Sequence, residues 1–124
     1  SNPELNKLDR NRLGTTAGRI TTLALVWYFS GEEQYARKAT ELIRVWFLNK
    51  DTRMNPNLEY AQMMPGHNND KGRCYGLIDT YSFIEMLDAV ALLEQSKAFT
   101  TQDSKQLKKW FSKLTDWMLA QSAR

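Results

Sequence analysis

Apolar positions return every three or four residues over four stretches of the chain, and that period predicts four helices. The first spans roughly Leu5 to Phe29, where Ile20, Leu23, Leu25, Val26 and Trp27 make the C-terminal half strongly apolar. Gly14 and Gly18 each weaken its middle by roughly 1 kcal/mol relative to alanine, which predicts a break there or close packing against a neighbour. Ser30-Gly31-Glu32-Glu33 turns the chain, and Ser30 with Glu33 fits a capping box for the next helix. That second helix runs from about Glu32 to Phe47. Tyr35, Ala39, Leu42, Ile43 and Trp46 lie on one face, with Arg37, Lys38 and Glu41 on the other. A third helix starts near Asp79 or Thr80, either of which suits a cap, and ends around Gln95. Phe83, Ile84, Leu87, Val90, Ala91 and Leu93 mark its buried face. Thr100 with Asp103 resembles a second cap, and the fourth helix carries Leu107, Trp110, Phe111, Leu114, Trp117 and Met118. Short connections at 30 and 96–100 imply antiparallel neighbours. Alternating apolar runs are too short for a strand, Tyr75-Gly76-Leu77-Ile78 being the one short candidate. The expected fold class is all-α, built of antiparallel helical hairpins.

Between the second and third helices lies a long loop, at about 48–78. Such a length inside a compact domain is uncommon unless the segment is functional or disordered. Met and Tyr beside its polar groups argue against a plain solvated linker. Pro56 and Pro65 keep their neighbours out of helix, while Gly66, Gly72 and Gly76 permit turns. Amides, guanidinium groups and phenols gathered in one loop suit a ligand rich in hydroxyls or carboxylates. Arg53, Asn55, Asn57, Tyr60, Gln62 and Arg73 are therefore candidate substrate-binding residues. Each also has a plainer role: asparagines cap turns, Tyr60 fits a core edge, and Arg73 has Asp70 and Asp79 as ordinary ion-pair partners. His67 is the only histidine. It lacks a nearby orienting partner, so an exposed loop imidazole is preferred to a general base. Trp27, Trp46, Trp110 and Trp117 sit on apolar helical faces and belong in a core sooner than under a sugar. Glu85 and Asp88 share one helix and read as a solvated face, since paired glycosidase carboxylates usually come from separate elements.

At 124 residues, 42% of them hydrophobic, the chain is one domain or part of a larger one, with enough apolar content for a core. Its apolar runs are too short for a membrane span, and no charged-then-apolar leader opens it, so any export signal lies outside it. Cys74 is the sole cysteine, so no internal disulfide forms, and no Cys/His cluster of metal type is present. The net charge of +3 is compatible with a polyanionic substrate, but basic and acidic residues are intermixed, which argues against nucleic acid.

TRMNPNLEYAQMMPG, followed by GR, YGLIDT and EMLDAVALL, resembles the alginate lyase domain family of polysaccharide lyases. YARKATELIRVWFL upstream is similar to that family's helix before the loop, and Asn2-Pro3 to its approach to the first helix. The similarity runs from about Asn2 to Leu119 and is sharpest from Tyr35 to Leu93. It implies part of an (α/α) toroid or incomplete barrel whose cleft holds an acidic polysaccharide such as alginate. It also implies β-elimination next to a uronate, a scheme needing no metal or other cofactor. Removing the C5 proton places negative charge on the adjacent carboxylate, and Asn, Gln and Arg donors stabilise such charge by about 3 kcal/mol each. Lyases of this kind carry an Asn-His pair on a later helix, which the resemblance implies is to be expected downstream of Arg124. His67-Asn68-Asn69 has the residue types in reversed order and in the upstream loop, so the catalytic role is not carried over to it. The chain is thus expected to be a single helical domain over 1–124, the N-terminal part of a larger lyase domain. It would supply part of the substrate cleft, be inactive alone, and self-associate through uncovered helix faces. The resemblance places such an enzyme in the periplasm or outside the cell. The alternative is a non-catalytic helical module that binds a polysaccharide or a protein partner; a hydrolase on a similar scaffold is a weaker third.

Overall fold

The structure, a computed structural model, describes residues 9–56 and 81–122. Among the described residues, four α-helices, α1 (Asp9–Ser30), α2 (Glu33–Ile43), α3 (Tyr81–Leu93) and α4 (Thr101–Ser122), form an all-α arrangement with no strand. A π-helical turn, Arg44–Leu48, continues α2. The predicted helices are therefore present. The Tyr75–Ile78 strand candidate and the Asp79 or Thr80 cap lie outside the described residues.

α1 packs against both α2 and α3, and the π turn packs against α4. Ile20, Ala24 and Trp27 of α1 meet Ala36, Ala39 and Ile43 of α2, and Phe83, Met86, Val90 and Leu93 of α3, in one buried cluster. Leu107, Trp110 and Leu114 close it from α4. Small residues on α2 let the first two helices approach closely, and the buried Thr40 hydroxyl is satisfied by donating to the Ala36 carbonyl at 2.8 Å. All four tryptophans pack in or against this core, as their helical positions imply.

Three local expectations need correction. Ser30 and Glu33 do not form a capping box. The Ser30 hydroxyl accepts from the Glu32 amide at 3.1 Å, one residue short of the expected partner. Glu33 turns away, accepting from Trp27 Nε1 at 3.3 Å and from the Ser96 hydroxyl at 2.8 Å. A tertiary partner has displaced the local one. Gly14 and Gly18 mark neither a break nor a close contact: α1 runs through both, and a Cβ at either meets nothing within 4 Å. The glycine that matters is Gly31, which ends α1 at φ 75 and donates its amide to the Trp27 carbonyl at 2.7 Å. Finally, α3 is apolar on nearly every side, so periodicity alone misassigns its buried face. Phe83, Met86, Ala89, Val90 and Leu93 face the core, whereas Ile84, Leu87 and Ala91 are exposed.

Candidate functional site

The loop that carries the candidate residues leaves the core through the π turn, and its first residues are held firmly. The Asn49 amide closes the π turn by donating to the Arg44 carbonyl at 2.8 Å. The amides of Thr52 and Arg53 both donate to the Asn49 carbonyl, at 3.2 and 2.8 Å, and the Thr52 hydroxyl donates to the Val45 carbonyl at 2.6 Å. Met54 is then tied at both ends of its peptide: its amide donates to the Trp46 carbonyl at 2.8 Å and its carbonyl accepts from Trp110 Nε1 at 2.9 Å. The Met54 side chain packs against the core. Arg53 and Asn55, its neighbours in the chain, are exposed, and among the described residues neither side chain makes a hydrogen bond or ion pair.

Two constructions hold this segment's base. The first is an aromatic cluster. Phe47 from the π turn meets Trp110 edge-on at 4.8 Å between centroids, and Phe83 of α3 meets Phe111 of α4 edge-on at 5.5 Å. Trp110 and Phe111 are themselves 4.9 Å apart. Edge-to-face contact suits the aromatic quadrupole, and a rigid ring fixes the direction in which Trp110 offers its N–H.

The second is a polar clamp. Arg44 Nε donates to Asp103 Oδ1 at 3.0 Å and an Nη to Oδ2 at 2.7 Å, a two-pronged contact between groups 59 residues apart. Asp103 also accepts the Thr100 amide at 2.9 Å, while the Asp103 amide donates to the Thr100 hydroxyl at 3.1 Å. The predicted cap of the fourth helix is therefore real, and reciprocal. Burial pushes the Asp103 carboxyl upward, but hydrogen bonds from Arg44 and Thr100 and the Arg44 charge outweigh it and hold the group below the usual carboxylate range. Arg44, through its hydrogen bond to Asp103, is held above its ordinary value against the opposing effect of burial.

Of the sequence candidates, the structure places Arg53 and Asn55. Asn57, Tyr60, Gln62, His67 and Arg73 lie outside the described residues. Glu85 and Asp88 are exposed, consistent with a solvated helix face. Sequence reasoning missed Arg44, Met54 and the indole N–H of Trp110, which hold the segment that carries Arg53 and Asn55. Half the clamp was legible in Thr100-x-x-Asp103, but nothing local marks Arg44 as its partner. No group of three or more His, Cys, Asp and Glu residues suited to a metal occurs among the described residues. No helix among them is long and apolar enough to cross a membrane.

A profile of the alginate lyase family matches residues 1–124. The chain belongs to the alginate lyase family. A solved structure described as an alginate lyase from Bacteroides ovatus superimposes with a TM-score of 0.90 and shares 54% sequence identity. That match covers 95% of this chain and 31% of the solved one, so this chain spans about a third of that lyase. A search among curated proteins returns no match. The hairpins of this lyase-family chain fit as a portion of an (α/α) toroid, as the sequence implies.

Proposed function

We propose that this chain supplies part of the substrate cleft of a polysaccharide lyase acting on alginate or a related uronate polymer. The observation that carries the reading is the exposed pair Arg53 and Asn55, held out by a Met54 anchored at both its amide and its carbonyl, inside a family whose name is alginate lyase. A guanidinium and an amide so placed would grip the carboxylate of a uronate and carry the charge that grows on it as the C5 proton leaves. Electrons from the broken C5–H bond form the C4–C5 double bond, and the O4 leaving group departs with a proton supplied by an acid. Rigid backing matters, because donors that need not reorganise during the reaction stabilise charge most. Asn57, Tyr60, Gln62 and Arg73 are proposed to extend the same surface. The proton-abstracting base is proposed to come from the remainder of the lyase domain, with His67 the lesser candidate within this chain. A long polyanion does not cross a bilayer, so the proposed place of action is periplasmic or secreted.

The test is formation of unsaturated uronate, followed by its ultraviolet absorbance. The protein carrying the whole lyase domain should release it from alginate, polymannuronate or polyguluronate without added metal. The 124-residue chain alone should release none. In the active protein, Arg53→Ala is expected to cost roughly ten- to a hundredfold in kcat/KM, as loss of one charge-assisted donor implies. No unsaturated product from any uronate polymer would reject the lyase reading in favour of a binding module.

A further inference from the structure

We propose that the cleft between α1 and α2 is a second, non-catalytic site for the carboxylated sugar chain; the proposal rests on the uronate-polymer reading above. The cleft encloses about 710 Å³, within the usual size of small-ligand sites, and Arg53 and Asn55 are not part of it. Arg19, Thr22 and Leu23 line it from α1, and Lys38, Glu41 and Leu42 from α2. On each helix these residues follow at spacing three and four, so each set presents one continuous face.

The lining has the two kinds of surface that a uronate residue needs. Leu23 and Leu42 are half-buried against the core and make an apolar floor for the C–H face of a pyranose ring. Arg19 and Lys38 stand on opposite walls, exposed, and among the described residues neither makes an ion pair. One cation is therefore left over after Glu41 is counted, which favours an anionic ligand. A carboxylate between the two walls would receive charge-assisted hydrogen bonds from both. The Thr22 hydroxyl and the Glu41 carboxylate remain to meet sugar hydroxyls. Gly18 keeps the α1 wall open: a Cβ built there meets nothing within 4 Å, and a larger side chain would project into the space a ring needs. A polymer held here and at the loop would bind through two linked contacts, which raises retention without altering the chemistry.

The experiment is calorimetric titration of defined oligomannuronates and oligoguluronates, with a neutral oligosaccharide of equal length as control. They are titrated into this chain and into its Arg19→Gln, Lys38→Gln, Glu41→Gln and Arg53→Gln variants. The substituted side chains are exposed, and an unchanged thermal midpoint checks that each variant folds. Arg19→Gln and Lys38→Gln should each weaken oligouronate binding about three- to tenfold, and Glu41→Gln should tighten it about twofold. Added salt should erase most of these differences. Undiminished binding by the Arg19→Gln/Lys38→Gln double variant, with loss in Arg53→Gln, would overturn the second site and leave the polymer reading standing. Equal affinity for the neutral control would overturn the carboxylate specificity claimed for the cleft. No oligouronate binding by the chain or any variant would overturn the second site, while the lyase reading is decided separately by unsaturated product from the protein carrying the whole lyase domain.

Discussion

Asp103 does two jobs with one carboxylate. It caps the fourth helix through Thr100 and receives the guanidinium of Arg44 from the π turn. Replacing it with asparagine keeps the shape and removes the charge, and is expected to cost about 1–2 kcal/mol at neutral pH, read as a lower urea midpoint. The pH dependence follows from the direction of its shift. The folded carboxyl binds a proton less readily than the unfolded one, whose ordinary value is 3.8. Its contribution is therefore fully present above that value and is lost as pH falls through the lower folded value. Asp103→Asn should flatten this acid limb of the stability profile, read as a smaller drop in the urea midpoint on acidification. Trp110 is the second decisive residue. Trp110→Phe keeps an aromatic ring but deletes the N–H that holds the Met54 carbonyl. A loss of about 1–3 kcal/mol is expected, with faster amide exchange at Arg53 and Asn55 than at the centre of α2. The candidate side chains Arg53 and Asn55 were legible as residue types in an unusual stretch of sequence. Their supports were not, because Arg44 and Asp103 meet across 59 residues and Trp110 reads only as an apolar position.

At the level of elements, glycines separate local propensity from packing. Gly31 sits at φ 75 after α1, where a Cβ is strained although nothing lies within 4 Å of it. Gly31→Ala should destabilise by about 1 kcal/mol. Gly14 lies inside the helix with the same open surroundings, so Gly14→Ala should stabilise by roughly 0.5–1 kcal/mol. Thermal midpoints moving in opposite directions would verify the pair. The Ser30–Glu33 signal shows how a motif fails. Its geometry required Glu33 to turn back, but the Trp27 indole and the Ser96 hydroxyl both offer it donors. Thr100–Asp103 formed because the tertiary partner, Arg44, binds the same carboxylate without displacing the cap.

For the whole molecule, the telling feature is the apolar surface left outward. On α1, Leu25, Val26 and Phe29 are exposed, Phe29 at 82%, and on α3 Ile84 is exposed at 56% with Leu87 beside it. Helices apolar on both sides belong between two layers. The chain is therefore expected to self-associate at micromolar concentration, seen as a rising sedimentation coefficient. Phe29→Ser with Ile84→Ser should weaken that association by about tenfold or more. A strictly monomeric chain at high concentration would contradict the expectation.

The four helices of the described residues, their approximate bounds, the all-α class and the chemical character of the stretch at about 48–78 follow from the sequence alone, because periodicity and residue type are local properties. Which side of α3 is buried, where Glu33 finds its partners and what anchors Met54 depend on groups far apart in the chain. Only the folded structure brings these together, and there a tertiary hydrogen bond or a packed face outweighs a local preference worth about 1 kcal/mol.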